Sequence, residues 1–181
     1  MHERKDHIIL IGFMGSGKST VGIKLSYRLQ CPLFDTDKMI EKKEKRSISE
    51  IFEKEGENYF RAQETQLLLK LKEERAGQIF SVGGGTPLRA ENRKLLRELG
   101  TVVYLKVSPE TVYERLKGDT TRPLLQGTDP MEKIRVLLDE RQKRYADAAD
   151  IVITTDGKKP VQVVEEIVAA LEGDRRRGEN V

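Results

Sequence analysis

The stretch Gly12-Phe13-Met14-Gly15-Ser16-Gly17-Lys18-Ser19 fits the pattern G-x-x-x-x-G-K-[ST], and it lies between an apolar run, His7 to Ile11, and a segment with helical spacing. No other feature restricts the fold as much, because this turn works as a phosphate cradle when a strand feeds it and a helix starts from it. The glycines let successive backbone N–H groups face phosphate oxygens, and the helix adds the positive end of its dipole. Lys18 is then placed to reach the β- and γ-phosphates of a nucleoside triphosphate, and the Ser19 hydroxyl to take one position on Mg²⁺. A glycine turn with a chance lysine is the structural alternative, and the strand-to-helix setting weighs against it. Such a cradle leaves the acceptor open among kinases, GTPases, ATPases and motors.

The rest of the chain repeats the alternation. Apolar runs at Pro32 to Asp35, Gln78 to Val82, Thr101 to Val107 and Asp150 to Thr154 are separated by long charged segments, which predicts an α/β fold with a mostly parallel sheet. The first helix is expected from Lys18 to about Leu29, because Val21, Leu25 and Leu29 recur on one face. Helices are also expected over Asp37 to Lys43, Ser47 to Glu55 and Asn58 to Arg75, the second of them opening on the capping-box pattern Ser47-Ile48-Ser49-Glu50. Three helices between two strands exceed a simple crossover, so this insertion is the expected place for a substrate-binding part. Further helices are read from Pro109 to about Lys117, from Met131 to about Ala148, and from about Pro160 to Leu171. The Gly- and Pro-punctuated stretch GDTTRPLLQGTDP reads as a mobile lid. The closing residues GDRRRGENV lack apolar content and are expected to be disordered, with Arg175 to Arg177 solvated.

Other residues that carry chemistry stand at the ends of the expected strands. Asp35-Thr36-Asp37 closes the second, where alternation points both carboxylates the same way. One is a candidate to hold Mg²⁺ through water and the other to accept a hydrogen bond from an acceptor hydroxyl. Helix capping by Asp37, with Asp35 solvated, is the structural alternative. Arg61 and Glu64 share one helix face, so they form either a surface ion pair or a fork preoriented for a substrate carboxylate. Gly83-Gly84-Gly85 follows the third strand and leaves backbone N–H groups open to a ligand, or is simply a loose turn. Arg122 in the lid and Arg141 on the next helix are candidates for anionic oxygens, against the plain reading of solvated arginines.

Composition narrows the classes. In 181 residues, 37% hydrophobic and 35% charged, there is material for one sizeable core. The net charge of +3 arises from 33 basic and 30 acidic residues intermixed, which argues against a nucleic-acid partner. The N-terminal apolar run is too short for a signal sequence or a membrane span, so a cytoplasmic protein with no membrane contact is expected. The single cysteine, Cys31, forms no internal disulfide and reads as a small apolar residue near a strand start. A GTPase-like switch would need a guanine-reading N-K-x-D segment, which Asn92-Arg93-Lys94-Leu95 does not supply.

With GFMGSGKS, DTD, FRAQE, SVGGGT, RPLL and Arg141-x-x-x-Tyr145 in this order, the chain from about Ile8 to Leu171 resembles the shikimate kinase family. The P-loop is shared by many families, whereas DTD, F-R-x-x-E and G-G-G at these intervals are specific. The resemblance implies a three-layer α/β P-loop kinase fold like that of the nucleoside monophosphate kinases. Its five-stranded parallel sheet runs in the order 2-3-1-4-5. One domain would cover residues 1–172, with a shikimate-binding insertion at about 37–75, a lid at about 117–130 and a tail at 173–181. The implied reaction moves the γ-phosphoryl group of ATP, with Mg²⁺, to the 3-hydroxyl of shikimate. The products are shikimate 3-phosphate and ADP, a step toward chorismate and the aromatic amino acids. A monomer acting on these two small molecules is expected. The alternatives are another small-molecule kinase, for gluconate or a nucleoside monophosphate, and then a nucleotide-dependent switch.

Residue by residue, the resemblance assigns Asp37, Arg61, Gly83, Gly84, Gly85 and Arg141 to shikimate, with Arg61 and Arg141 on its carboxylate and Asp37 on its hydroxyls. Phe52 and Phe60 would wall the ring, and Glu64 would brace Arg61. Gly15, Ser16, Gly17, Lys18, Ser19 and Thr20 would hold ATP, with Arg122 closing over its phosphates and Arg115 and Lys158 at the base. Ser19 and Asp35 would hold the metal, and Lys18, Asp37 and Arg122 would carry the catalysis. Two stretches depart from the family pattern. Arg141-Gln142-Lys143-Arg144-Tyr145 replaces R-x-P-L-Y and is expected to add charge beside the site and to alter helix packing. Thr155-Asp156-Gly157-Lys158-Lys159-Pro160 offers lysines where an arginine is usual, without its planar stacking surface.

Overall fold

A computed structural model describes residues 7–118 and 129–178, with side chains of the last helix through residue 173. Five strands, β1 (His7–Ile11), β2 (Leu33–Asp35), β3 (Ile79–Ser81), β4 (Gly100–Lys106) and β5 (Ile151–Thr154), form one sheet in the order β2-β3-β1-β4-β5. Each neighbouring pair is parallel. The order and the parallel pairing are those implied by the resemblance. Seven helices among the described residues flank the sheet: α1 (Lys18–Leu29), α2 (Thr36–Glu44), α3 (Ile48–Leu71), α4 (Ala90–Leu99), α5 (Pro109–Leu116), α6 (Pro130–Ala148) and α7 (Pro160–Gly178).

The parallel sheet is apolar on both faces, as helix-covered strands must be. Every residue of β1 is buried. Alternation sends Ile8 and Leu10, with Val103, Leu105 and Ile153, to the side of α1 and α7. Ile9 and Ile11, with Phe80, Val102 and Tyr104, face the other layer, where Leu68, Leu95, Leu96, Ile134 and Leu138 complete the larger core. A small third cluster of Ile40, Ile51 and Phe60 joins α2 to α3. Each such side chain contributes about 1.5–3 kcal/mol on burial, so the insertion is held by few contacts.

Register is what assembles a site. Asp35 pairs with Ser81, and Ser81 with Leu10, across β2, β3 and β1. These strands lie about 4.8 Å apart, so the three turns that follow them open within about 10 Å of one another at one sheet edge.

Local elements depart from expectation in identifiable ways. Ser47 and Glu50 form the expected capping box, with Ser47 N donating to Glu50 Oε2 at 2.8 Å and Glu50 N to Ser47 Oγ at 3.2 Å. The two helices expected after it are one element kinked at Gly56, whose φ of 81° suits glycine, and the second part ends at Leu71 instead of Arg75. α4 was not expected at all, although Leu95, Leu96 and Leu99 bury one side of it. α7 runs to Gly178, through part of the stretch expected to be a disordered tail. Residues 179–181 and most of the expected lid lie outside the described residues. No helix among the described residues is long and apolar enough to cross a membrane.

Candidate functional site

The turn after β1 is shaped by three positive-φ glycines. Gly12, Gly15 and Gly17 have φ of 150°, 74° and 94°. A Cβ on Gly12 would stand 2.8 Å from Leu105 O and from Ser16 Oγ, so the backbone there admits no side chain. Gly17 caps α1 through its backbone alone, which leaves the first N–H groups of the helix facing the turn. Lys18 Nζ donates to Gly12 O at 2.7 Å and Phe13 O at 3.2 Å, which folds the ammonium over the loop.

This loop forms one wall of a cavity of about 570 Å³. Gly15, Gly17, Lys18, Ser19 and Thr20 line it, together with Asp35 and Asp37. Ser16 does not, because its side chain is buried and its Oγ has no hydrogen-bond partner among the described residues.

The two aspartates divide the alternatives left open by the sequence. α2 starts at Thr36, so the chain between them is not extended. Asp35 is the helix cap, its Oδ1 accepting from Lys38 N at 3.1 Å. The cap that the structural alternative gave to Asp37 is made by Asp35 instead, and Asp37 turns inward from the first helical turn. Asp37 Oδ1 is buried without a hydrogen-bond partner among the described residues. Burial, and then the carboxylates of Asp35 and Glu64, push the Asp37 pKa up to about 6, against the pull of Lys18 and Arg61. Gly83 makes this approach possible, since a Cβ there would stand 2.6 Å from Asp37 Oδ1. The peptide of Gly83 is fixed in turn by donation to Thr36 Oγ1 at 3.3 Å.

Arg61 occupies the opposite wall. Its Nη1 donates to Glu64 Oε2 at 2.7 Å, and its Nε and Nη2 to Glu57 Oε1 at 3.2 Å, so the pair is a buried brace rather than a surface ion pair. Burial opposes the guanidinium charge, but Glu64 and Glu57 hold its pKa above the ordinary value. The guanidinium lies directly against Gly85, where a Cβ would meet Nη1 at 2.2 Å. Phe60 packs beneath Arg61, with its ring centroid 5.4 Å from Cζ, and Phe52 lies on Phe60 at 4.9 Å. Arg141 enters from α6, with Cζ 5.6 Å from the Phe13 ring centroid. One turn later Tyr145 is fully buried and donates its hydroxyl to Gly84 O at 2.7 Å, tying α6 to the triple-glycine turn. α6 continues unbroken through Gln142, Lys143 and Arg144, and the two charged side chains point to solvent, so the expected disturbance of helix packing is absent.

Phe52, Phe60, Arg61, Glu64, Gly83, Gly84, Gly85 and Arg141 thus share the cavity with the phosphate loop. Besides Ser16, two expected residues among those described do not line it. Arg115 donates to Gly15 O at 2.8 Å and Thr155 O at 3.1 Å, clasping the outside of the loop. Lys158 pairs with Glu166 on α7 at 2.7 Å. Arg122 lies outside the described residues. Sequence reasoning missed Met14, Ile48, Ser81, Val82 and Leu116 in the lining. Val82 and Leu116 carried a weak signal, since each ends an element that leads toward the site.

The oxygens of Ser19 and Asp35 suit Mg²⁺, a hard cation that keeps several waters and relies on few protein ligands. Among the described residues no group of three or more His, Cys, Asp or Glu is placed to hold a metal by protein side chains alone. The donor set therefore fits an ion shared with bound phosphates.

Residues 14–172 match the family model described as shikimate kinase. A shikimate kinase of Symbiobacterium thermophilum is 42% identical over 176 residues, 95% of this chain and 99% of that protein. The structure of a shikimate kinase from Acinetobacter baumannii in complex with shikimate superposes with a TM-score of 0.86 at 37% identity, covering 95% of this chain and 96% of that one. A gluconokinase from Sinorhizobium meliloti superposes at a TM-score of 0.60 with 17% identity, covering 98% of this chain and 95% of that one, a likeness of fold alone.

Proposed function

The chain belongs to the shikimate kinase family, and on that premise we propose that it transfers the γ-phosphoryl group of ATP to the 3-hydroxyl of shikimate, giving shikimate 3-phosphate and ADP. The observation that carries the reading is the single cavity in which Lys18, Asp37, Arg61 and Arg141 converge. It joins an anion cradle, a carboxylate and two guanidinium groups, the complement of a triphosphate beside a hydroxy acid. The same proposal makes the enzyme a cytoplasmic monomer.

In this mechanism the loop N–H groups and Lys18 hold the phosphates and neutralise charge as it shifts toward the leaving oxygen. Mg²⁺, held by Ser19 and through water by Asp35, supplies further neutralisation of the phosphate oxygens when bound. Asp37 accepts a hydrogen bond from the 3-hydroxyl, orients it toward the γ-phosphorus and takes its proton as the bond forms. Arg61 and Arg141 grip the carboxylate, which fixes the ring so that the 3-hydroxyl meets Asp37. Phe52 and Phe60 cover the ring and exclude water on that side. Arg122 is the further cation of the proposal, and Arg115 supports the loop from outside.

A coupled assay of ADP release tests the reading, with shikimate, quinate, gluconate and nucleoside monophosphates offered separately. The kcat/KM for shikimate is expected to exceed each of the others by about a hundredfold or more, because unmatched acceptors leave buried polar groups unpaired. Equal or better turnover of gluconate or a nucleotide would overturn it.

A further inference from the structure

We propose that Thr86, held in place by Asn92, is a positioning residue for the carboxylate grip, acting on the acid end of the substrate through Glu64 and Arg61. The inference rests on the reading that Arg61 binds that carboxylate. Glu64 braces Arg61 with one oxygen, Oε2, at 2.7 Å. A carboxylate fixed at one oxygen still swings about its other torsions. The second oxygen, Oε1, accepts from Thr86 Oγ1 at 2.5 Å in a fully buried contact. With both oxygens engaged the brace has one orientation, and the Arg61 plane is set against Gly85.

Thr86 is itself held on two sides. Its N–H donates to Gly83 O at 3.0 Å, and its carbonyl accepts from Asn92 Nδ2 at 3.0 Å. Asn92 is 0% exposed, and its Oδ1 accepts from Thr65 Oγ1 at 2.8 Å. Thr65 directly follows Glu64 on α3, so the contacts form a closed ring from α3 to the glycine turn, to α4 and back to α3. Neither Thr86 nor Asn92 lines the cavity. A hydrogen-bonded ring buried at Glu64, Thr86 and Asn92 fixes one arrangement of its elements, and the arrangement fixed here is the distance between the Arg61 fork and the glycine turn.

The test compares wild type with Thr86→Val, which keeps the shape and loses the donor, and with Thr86→Ser, which keeps the donor. Steady-state constants are measured for shikimate, for its methyl ester and for ATP, well below each variant's Tm. Thr86→Val is expected to raise the KM for shikimate about tenfold, a loss of about 1.4 kcal/mol. The KM for ATP and the kcat/KM for the uncharged ester should stay within about twofold of wild type. The preference for acid over ester therefore shrinks about tenfold in Thr86→Val and is retained in Thr86→Ser. Should Thr86→Val not fold, Thr86→Ala carries the same expectation. An acid preference unchanged in a valine or alanine variant of lowered Tm would overturn the inference and leave Thr86 a purely structural residue. A wild-type enzyme with no acid preference would overturn the carboxylate reading of Arg61 along with it.

Discussion

Lys18→Ala is expected to lower kcat for shikimate phosphorylation by about 10³-fold or more, in a protein that still folds. Removal of one charge-stabilising group from a preorganised site costs about 10²–10³ in rate, and cations placed on the transferring phosphoryl group contribute about 10³–10⁵. Structurally the ammonium donates to Gly12 O and Phe13 O in its own loop. Lys18 itself lines an open cavity that water enters when the side chain is lost, so the stability change is about 1 kcal/mol. Circular dichroism and a thermal scan establish the fold, and the coupled assay reads the rate. Turnover within about tenfold of wild type would mean that the loop is not the phosphate cradle.

Asp37→Asn separates rate from stability. The carboxylate is expected to act as hydrogen-bond acceptor and base, so its loss lowers kcat by about 10²–10⁴ while ATP affinity changes little. The same substitution is expected to stabilise the fold at neutral pH. The Asp37 pKa is raised from 3.8 to about 6, chiefly by burial. Between these two values the folded chain keeps a proton that the unfolded chain has lost, so stability falls as pH rises through this window and is level above it. Above about pH 6 the asparagine variant should therefore unfold at higher temperature, by a margin on the order of 1–3 kcal/mol. That margin disappears toward pH 4. Wild-type kcat/KM should also fall below about pH 6 as Asp37 takes up its proton, with no matching fall in the variant. An unchanged kcat in Asp37→Asn would leave the aspartate without a role in transfer.

The parallel sheet was legible because its central strands β1, β3 and β4 are buried on both faces and so read as short apolar runs between charged helices. Their order came from the family resemblance, since residue patterns alone do not rank strands across a sheet. The break at Gly56 and the capping box at Ser47 were visible because each depends on residues within a few positions. α4 was overlooked although Leu95, Leu96 and Leu99 mark its buried side, because Arg93, Lys94, Arg97 and Glu98 flank and separate them.

Of the residues that line the cavity, the loop, Asp37 and the glycines were singled out from their positions at strand ends, and Arg61 from the helix face it shares with Glu64. Extended alternation was the wrong local reason for Asp35 and Asp37, since helix α2 starts between them and gives capping to one and the cavity to the other. Lys158 was assigned to the base by resemblance, and nothing in the sequence signals its pairing with Glu166 on α7. Thr86, Asn92 and the hydroxyl of Tyr145 were unreadable as parts of the site for a common reason. Their partners are Glu64, Thr65 and Gly84, brought to them from 22, 27 and 61 residues away.

The location of the phosphoryl group in the product tests the central claim most directly, because it reports which hydroxyl the carboxylate grip presents to Asp37. Proton-coupled ³¹P spectra of the reaction mixture should show one new phosphomonoester, coupled to the hydrogen on C3 of shikimate and formed in equal amount with ADP. ADP released without a sugar-like phosphoester, or a phosphate on another hydroxyl, would contradict the account.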